Sequence, residues 1–518
     1  MANANEDNPS VKSQAYLDQL DDWTLVNDCF AGTRAVRDKG TAYLPQNPSE
    51  FQDDYNTRLN QANFWNASKR TRDGLVGMVF RKNPVLAQPS EDEDQRGEMA
   101  DPVPPEILKH LENVDLQGSH FDVFTKEVFR DALSDGHAFI LVDMPPPVPV
   151  EEPTVTKRDE LGRRPYWVRI NKEQVINWRA ENNPDGVTVL TQVTIREQVT
   201  VPAGQFLDAE ETRYLVLRPG SWERWKVEEE KNKETVVTLI DSGTTSLDVI
   251  PLAPVYTNRV GFMISAPPLL DLCFENLRHY RLQSDLDTIM HVCNVPILTA
   301  IGRDDTTAKL VVGPFTAVDL PMGAELKYTE HSGPAIEAAQ AELGNSKANM
   351  ATLGLLLLSQ RPQVAQTATE SVIDDKAESS ELAGMARGLE DGIETALMYH
   401  AAYLNQKSGG SVTVNKDFAK LGLDPQKITA ISTAVEKRQL SLETMWEIMQ
   451  RADELPNTFD AKKEQKRLKD SEPEAEKINV ERSKVALERD KAAASGNPEA
   501  IQQRILAERT NLGNAPPS

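Results

Sequence analysis

Between Pro267 and Leu404 the chain runs through an order of elements that few folds can use. Ser265-Ala266-Pro267-Pro268 reads as a helix start, a small polar cap followed by prolines in the first turn, where the missing N–H is no loss. Apolar residues follow at Leu270, Phe274, Leu277, Leu282, Leu286, Ile289 and Cys293, mostly in steps of three and four, and predict one buried stripe. About 27 residues at 1.5 Å each make a rod of roughly 40 Å, long enough to act as a spanning element. The helix is expected to stop near Asn294, before Val295-Pro296. Residues 295–331 then read as short strands: Ile297–Ile301 closed by Gly302, Leu310-Val311-Val312 before Gly313-Pro314, and Glu325–Tyr328 before Ser332-Gly333-Pro334. A second helix, rich in alanine and leucine, is predicted from Pro334 to Leu358. A polar loop follows, Ser359-Gln360-Arg361-Pro362-Gln363-Val364-Ala365-Gln366. Thr367-Ala368-Thr369-Glu370 is a capping box that opens a third helix, with Leu382, Met385, Leu389, Ile393, Leu397 and Leu404 on one face. The order predicts one wedge of a ring, with helices lining a hole and a loop pointing into it.

The rest of the chain is organised around this stretch. With 518 residues it exceeds one ordinary core and predicts two to four domains. Residues 11–80 read as mainly helical, broken at Gly40, Pro45 and Pro48, with a helix from Phe64 to Val79 stopped by Asn83-Pro84. Gly74 and Gly77 inside it read as a close-packing pair. Glu91–Asp94 and the prolines at 102, 104 and 105 mark a solvated linker. Phe121–Leu133 is predicted helical, and Asp135-Gly136 turns the chain into His137–Val142, a buried strand by its unbroken apolar run. The proline-rich residues 144–165 read as a rigid surface excursion. Residues 166–257 carry short strands with turn signals between them and predict one antiparallel sheet. Residues 424–455 suggest two short helices around Gln439-Leu440-Ser441. Residues 460–495 are charged, nearly balanced in sign and poor in large apolar side chains, a solvated helix or a disordered tail.

Charge and composition exclude several function classes. The chain carries 80 acidic against 57 basic residues, a formal net charge of −23, and no basic run that would grip a phosphate backbone. Such acidity is compatible with a wall along which nucleic acid slides without sticking. Cys29, Cys273 and Cys293 are widely spaced and form no CxxC pair, which predicts buried free thiols and a reducing compartment. The N-terminal residues lack a signal peptide, and the most apolar segment, Met350–Leu358, is far short of the ~20 residues needed to span a bilayer. The expectation is a soluble protein made inside the cell, with no membrane partner.

Catalytic and cofactor motifs are missing from the sequence. There is no GxxxxGK[ST] and no GxGxxG after a strand, no HExxH, and no GxSxG elbow. His279 and His291 fall on different faces of one predicted helix, and His137 reads as a structural histidine. Asp285, Asp287 and Glu370 are the candidates for a metal-dependent nucleic-acid-processing enzyme, the alternative to a ring. A capsid or scaffold component without a channel is the third reading. In the loop at 359–366, Arg361 would touch DNA phosphates weakly and reversibly.

Several segments together resemble bacteriophage portal proteins, in a branch carrying a domain of formerly unknown function. They are Tyr43-Leu44-Pro45, Arg70–Lys82, Val175-Ile176-Asn177-Trp178, Pro267–Leu272, Asn276–Arg281 and Thr367–Glu370, and the similarity covers most of residues 15–455. The resemblance implies an α+β subunit of a non-enzymatic ring, usually a dodecamer, at one capsid vertex. Residues 15–265 would form an α/β wing behind a disordered 1–14. Residues 266–294 and 334–358 would be the two-helix stem, and 295–333 a small β clip. Residues 359–369 would be the tunnel loop and 370–407 the long helix behind it. Residues 408–455 would make a helical crown and 456–518 a charged helical C-terminal tail. The implied partners are double-stranded DNA moving through the channel, the terminase large subunit, the head–tail adaptor, and the major capsid protein with its scaffold. Docking at the clip would use Arg303, Asp304, Asp305, Lys309 and Lys327. No cofactor or metal is implied. The place would be the virion, after assembly in the host cytoplasm.

Overall fold

The computed structural model describes residues 8–88, 101–145, 163–229, 235–293, 297–302, 322–323, 325–329, 334–356, 380–416, 418, 431–435, 437, 439–451, 455, 459 and 461–468. The chain divides into two compact units, Met1–Phe418 and Ala419–Ser518. The helices are α1 (Gln14–Ala31), α2 (Thr33–Asp38), α3 (Gln52–Gln61), α4 (Ala67–Val79), α5 (Pro105–Leu111), α6 (Phe121–Asp135), α7 (Leu270–Cys293), α8 (Pro334–Leu356), α9 (Glu381–Tyr403) and α10 (Leu442–Arg451). The strands are β1 (Val85–Leu86), β2 (His137–Asp143), β3 (Tyr166–Ile170), β4 (Val175–Asn182), β5 (Thr188–Pro202), β6 (Asp208–Arg218), β7 (Ser221–Glu229), β8 (Thr235–Thr244), β9 (Leu252–Tyr256), β10 (Arg259–Gly261), β11 (Ile264–Ser265), β12 (Ile297–Ile301), β13 (Glu325–Thr329) and β14 (Val412–Thr413). Helices and antiparallel sheets occupy separate layers, so the class is α+β.

The unbroken apolar run His137–Val142 is the centre of the first unit. Strand β2 lies between β3 and β9, antiparallel to both, with Phe139 opposite Ile170 on one side and Pro254 on the other. Successive side chains of a strand point to opposite faces. Ala138, Ile140 and Val142 enter the larger core with Trp167, Ala253 and Val255, while Phe139 and Leu141 enter a second core with Ile170, Val193, Ile195 and Leu252. A strand buried on both faces has no polar side to show, which is why its sequence does not alternate.

Helices α6 and α9 cover the first of these faces. Helix α6 ends at Gly136, whose φ of +88° suits glycine, and a Cβ there would sit 2.5 Å from the Ala266 carbonyl oxygen. Helix α9 approaches β9 through Gly388 and Gly392; a Cβ at Gly388 would stand 2.0 Å from the Tyr256 carbonyl oxygen. Leu382, Met385, Leu389, Ile393 and Leu397 are buried as the spacing predicts, and Leu404 is half-buried at the C-cap. The capping box at 367–370 lies outside the described residues. The described helix is capped by Ser380, whose Oγ accepts from the Ala383 N–H at 3.2 Å.

The β-rich region resolves into two sheets, not the one expected. Strands β3 and β9 belong with β2, and β4-β5-β6-β7-β8 form a separate antiparallel meander. Periodicity marks strands but not partners, and the need to enclose β2 takes the first and last of them. The register shift at Arg224 and Trp225 of β7 leaves one extra residue, Ile240, on β8.

Three further expectations are corrected. Gly74 and Gly77 have nothing within 4 Å of an added Cβ, so they are exposed helix glycines and not a packing pair. Ser265 does not cap α7; its buried Oγ contacts His137 Nδ1 and donates to the Asp135 carbonyl at 3.2 Å. Phe274, placed on the buried stripe of α7, is 51% exposed. The face of α7 enclosed by α1, α3, α4 and α8 instead takes polar Asn276, His279 and Ser284 beside Cys273, Leu277 and Tyr280.

In the second unit, α10 buries Trp446 edge-on against Phe459, with ring centres 5.5 Å apart. Residues 461–468 are helical, and 469–518 lie outside the described residues.

Candidate functional site

Helix α7, the β12–β13 hairpin and α8 form the candidate site. Glu275 meets Ser346 and Arg278 meets Glu342, in reverse order along the chain, so the two helices run antiparallel. Ser346 Oγ donates to Glu275 Oε1 at 2.7 Å, and Arg278, near the next turn, pairs with Glu342 and with Glu275. In the hairpin Ile297 faces Thr329 and Ile301 faces Glu325.

The inner half of α7 is built into the helical core. Asn276 is fully buried, and its Oδ1 accepts from the Ser68 N–H at 3.0 Å and from Ser68 Oγ at 2.9 Å. Its Nδ2 donates to the Trp65 carbonyl at 2.8 Å. A buried amide with its capacity used this way fixes both rotation and depth of the helix. Tyr280 stands edge-on to Phe64 at 5.9 Å, and Arg281 Nε donates to the Tyr43 carbonyl at 2.8 Å. Beyond Leu286 no described side chain of α7 is buried. The outer half of α7 therefore packs mainly on α8, on a base locked into the core.

The predicted docking residues fall unevenly on this frame. Lys327 is exposed on β13, whereas Arg303, Asp304, Asp305 and Lys309 lie outside the described residues. The loop Ser359–Gln366, with Arg361, also lies outside them, between the end of α8 and Ser380.

The acidic candidates do not converge. Asp285 lies 3.9 Å from Arg58, which Glu50 holds through two bonds of 2.7 Å. Burial raises the Asp285 carboxyl above its usual range, against the pull of Arg58. Asp287, two residues on and about 200° around the helix, accepts from Gln283 at 2.7 Å. Glu370 lies outside the described residues. Among the described residues no group of three His, Cys, Asp or Glu side chains is placed to hold a metal ion. Nor is any helix there long and apolar enough to cross a membrane.

Cys29 and Cys273 are the buried free thiols that the sequence predicts, but that they meet, and that Lys172 is buried, gave no sequence signal. Cys29 and Cys273 meet between α1 and α7, both buried and free; nothing is described of the Cys293 side chain. Lys172, in the short turn between β3 and β4, is fully buried with Nζ 4.2 Å from the Trp178 ring centre, 5.3 Å from Trp23 and 5.6 Å from Phe139. Burial pushes its ammonium down to about 7, against the attraction of Asp135.

No curated protein matches the chain. Among solved structures, a chain of the neck of an empty GTA particle with C6 symmetry aligns at 11% identity and a TM-score of 0.37, covering 72% of this chain and 85% of that one. A chain of the virion of a native gene transfer agent (GTA) particle aligns at 10% identity and a TM-score of 0.34, covering 79% and 95%. Residues 268–404, the stretch that carries α7, the hairpin, α8 and α9, match the family model described as a domain of unknown function, DUF4055.

Proposed function

We propose that this chain is the subunit of a phage portal ring, a structural and non-enzymatic component of the virion that conducts double-stranded DNA at one capsid vertex. The observation that carries the reading is the antiparallel α7–α8 pair, rooted in the core by Asn276 and Tyr280 and bearing the β12–β13 hairpin at its exposed end. Set around an axis, copies of this pair line a hole, and their hairpins present a rim of docking edges. On this reading the hairpin region, with Lys327 and the residues 303–309, receives the terminase large subunit and later the head–tail adaptor. The loop 359–366 faces the DNA, and residues 15–265 face the capsid protein and scaffold. The sequence has no phosphate-binding loop, in keeping with a separate ATPase as the source of packaging energy.

Negative-stain electron microscopy with a solution mass on the same sample tests the proposal. Rings with a central hole, near twelve times 57.6 kDa, are expected. A chain that stays monomeric even with scaffold and capsid protein sinks it.

A further inference from the structure

Three aromatic nitrogen groups from distant parts of the chain join in one line. Trp167 Nε1 lies 3.2 Å from His400 Nδ1, and His400 Nε2 lies 3.0 Å from His110 Nδ1. An indole N–H only donates, so His400 Nδ1 must accept. A neutral imidazole carries one proton, so His400 Nε2 is the donor and His110 Nδ1 the acceptor, which leaves the His110 proton on Nε2. The chain thus has one direction, from buried Trp167 to half-buried His110. It ties β3 to α9 and α9 to α5, and Trp167 itself stands edge-on to Phe121 and Phe124 at 6.0 Å each.

We propose that the Trp167–His400–His110 chain is an acid-operated latch, holding α9 against α5 and β3 while both imidazoles are neutral and releasing it when a proton enters. A proton on His400 Nδ1 sets two N–H groups against each other at Trp167. A proton on His110 Nδ1 does the same toward His400. His400, 1% exposed, has no room to turn and escape. The charged groups around the latch work against a cation: the Arg164 guanidinium lowers both imidazoles, after burial, and each neutral ring tolerates the other only while uncharged. Glu106 on α5 opposes this at His110, but its Oε2 also accepts from Gln406 Nε2 at 3.0 Å, at the same end of α9. Tyr399 and Tyr403 on α9 have their hydroxyl pKa values raised by burial and stay neutral in acid. Because the closed latch excludes the proton, uptake occurs in the open form, at an ordinary histidine near pH 6.5. The inference stands independently of ring assembly.

Hydrogen–deuterium exchange of the full chain tests it, read on peptides covering 105–111 and 396–403 and corrected for the intrinsic pH dependence of exchange. Wild type is expected to lose protection there by about tenfold or more per pH unit below pH 6, the linkage of one to two protons to opening. His400→Gln together with His110→Gln keeps an acceptor for Trp167 and a donor–acceptor pair between the two side chains, with neither able to titrate. It should match wild type at pH 7.5 and lose little protection at pH 5. Should it fail to fold, His110→Gln alone removes one of the two titrating rings and should lose protection less steeply with falling pH than wild type. Equal acid loss in the Gln variant and wild type, or no acid loss in wild type, overturns the latch.

Discussion

Cys29 and Cys273, 244 positions apart, meet where α1 crosses α7: the Cys29 thiol lies 3.9 Å from the Cys273 carbonyl oxygen, to which it donates. The hydrogen bond to the Cys273 side chain, then burial, raise the Cys29 thiol above its ordinary range, so the nucleophilic thiolate is suppressed. Both residues should resist a thiol-labelling reagent in the folded chain and react rapidly in denaturant. Peptide mapping of the label tells them from Cys293. Rapid native labelling at Cys29 would mean that α1 and α7 part readily.

Asn276→Ala should be among the most damaging single changes in the helical core. It removes three hydrogen bonds and strands the N–H of buried Ser68, while the Trp65 carbonyl keeps only the Ala67 N–H. The expected loss is about 2–4 kcal/mol, read from the urea midpoint. A loss of ~0.5 kcal/mol or less would show that α7 is rooted elsewhere.

Two glycine-to-alanine changes should have opposite signs. At Gly388 the new Cβ meets the Tyr256 carbonyl oxygen at 2.0 Å, so α9 must lift off β9, at a loss of about 2 kcal/mol or more. At Gly74 the space is open and the helix gains about 0.5–1 kcal/mol from the stiffer residue. Thermal melts of the two variants side by side give the comparison.

Lys172 should make stability depend on alkaline pH. Its folded value is lowered from 10.5 to about 7, so between those values the unfolded chain binds the proton and the folded chain does not. Stability from this group therefore rises with pH from about 7 to 10.5, and the full penalty of the buried charge applies below 7. Lys172→Met keeps the bulk and removes the charge. It should stabilise the protein at pH 7, on the order of 2–4 kcal/mol, and flatten the rise. Urea midpoints at pH 7 and 9.5 for both proteins check the sign.

On the portal reading, replacing residues 360–366 with Gly and Ser leaves rings intact, since α7, α8 and α9 are untouched, but lowers the retention of packaged DNA. Rings are counted by electron microscopy and retained DNA by nuclease protection. Normal retention would remove the loop from that role.

What the sequence settled by itself is local. The steps of three and four at Leu382, Met385, Leu389, Ile393 and Leu397 gave the buried face of α9, and the unbroken run at 137–142 gave a strand covered on both sides. The order helix, strands, helix, helix was equally legible, because periodicity, caps and turn residues act within a few positions. The candidate residues at 303–309 and 359–366, and Glu370, lie outside the described residues. The tertiary structure decided which strands flank β2, that Phe274 faces outward while Asn276 is buried, that Cys29 meets Cys273, and that Lys172 sits among Trp23, Phe139 and Trp178. The reason is common to all four. A side chain's environment is supplied by segments far away in the chain, and a polar residue goes inside wherever those segments bring a partner or a ring to meet it.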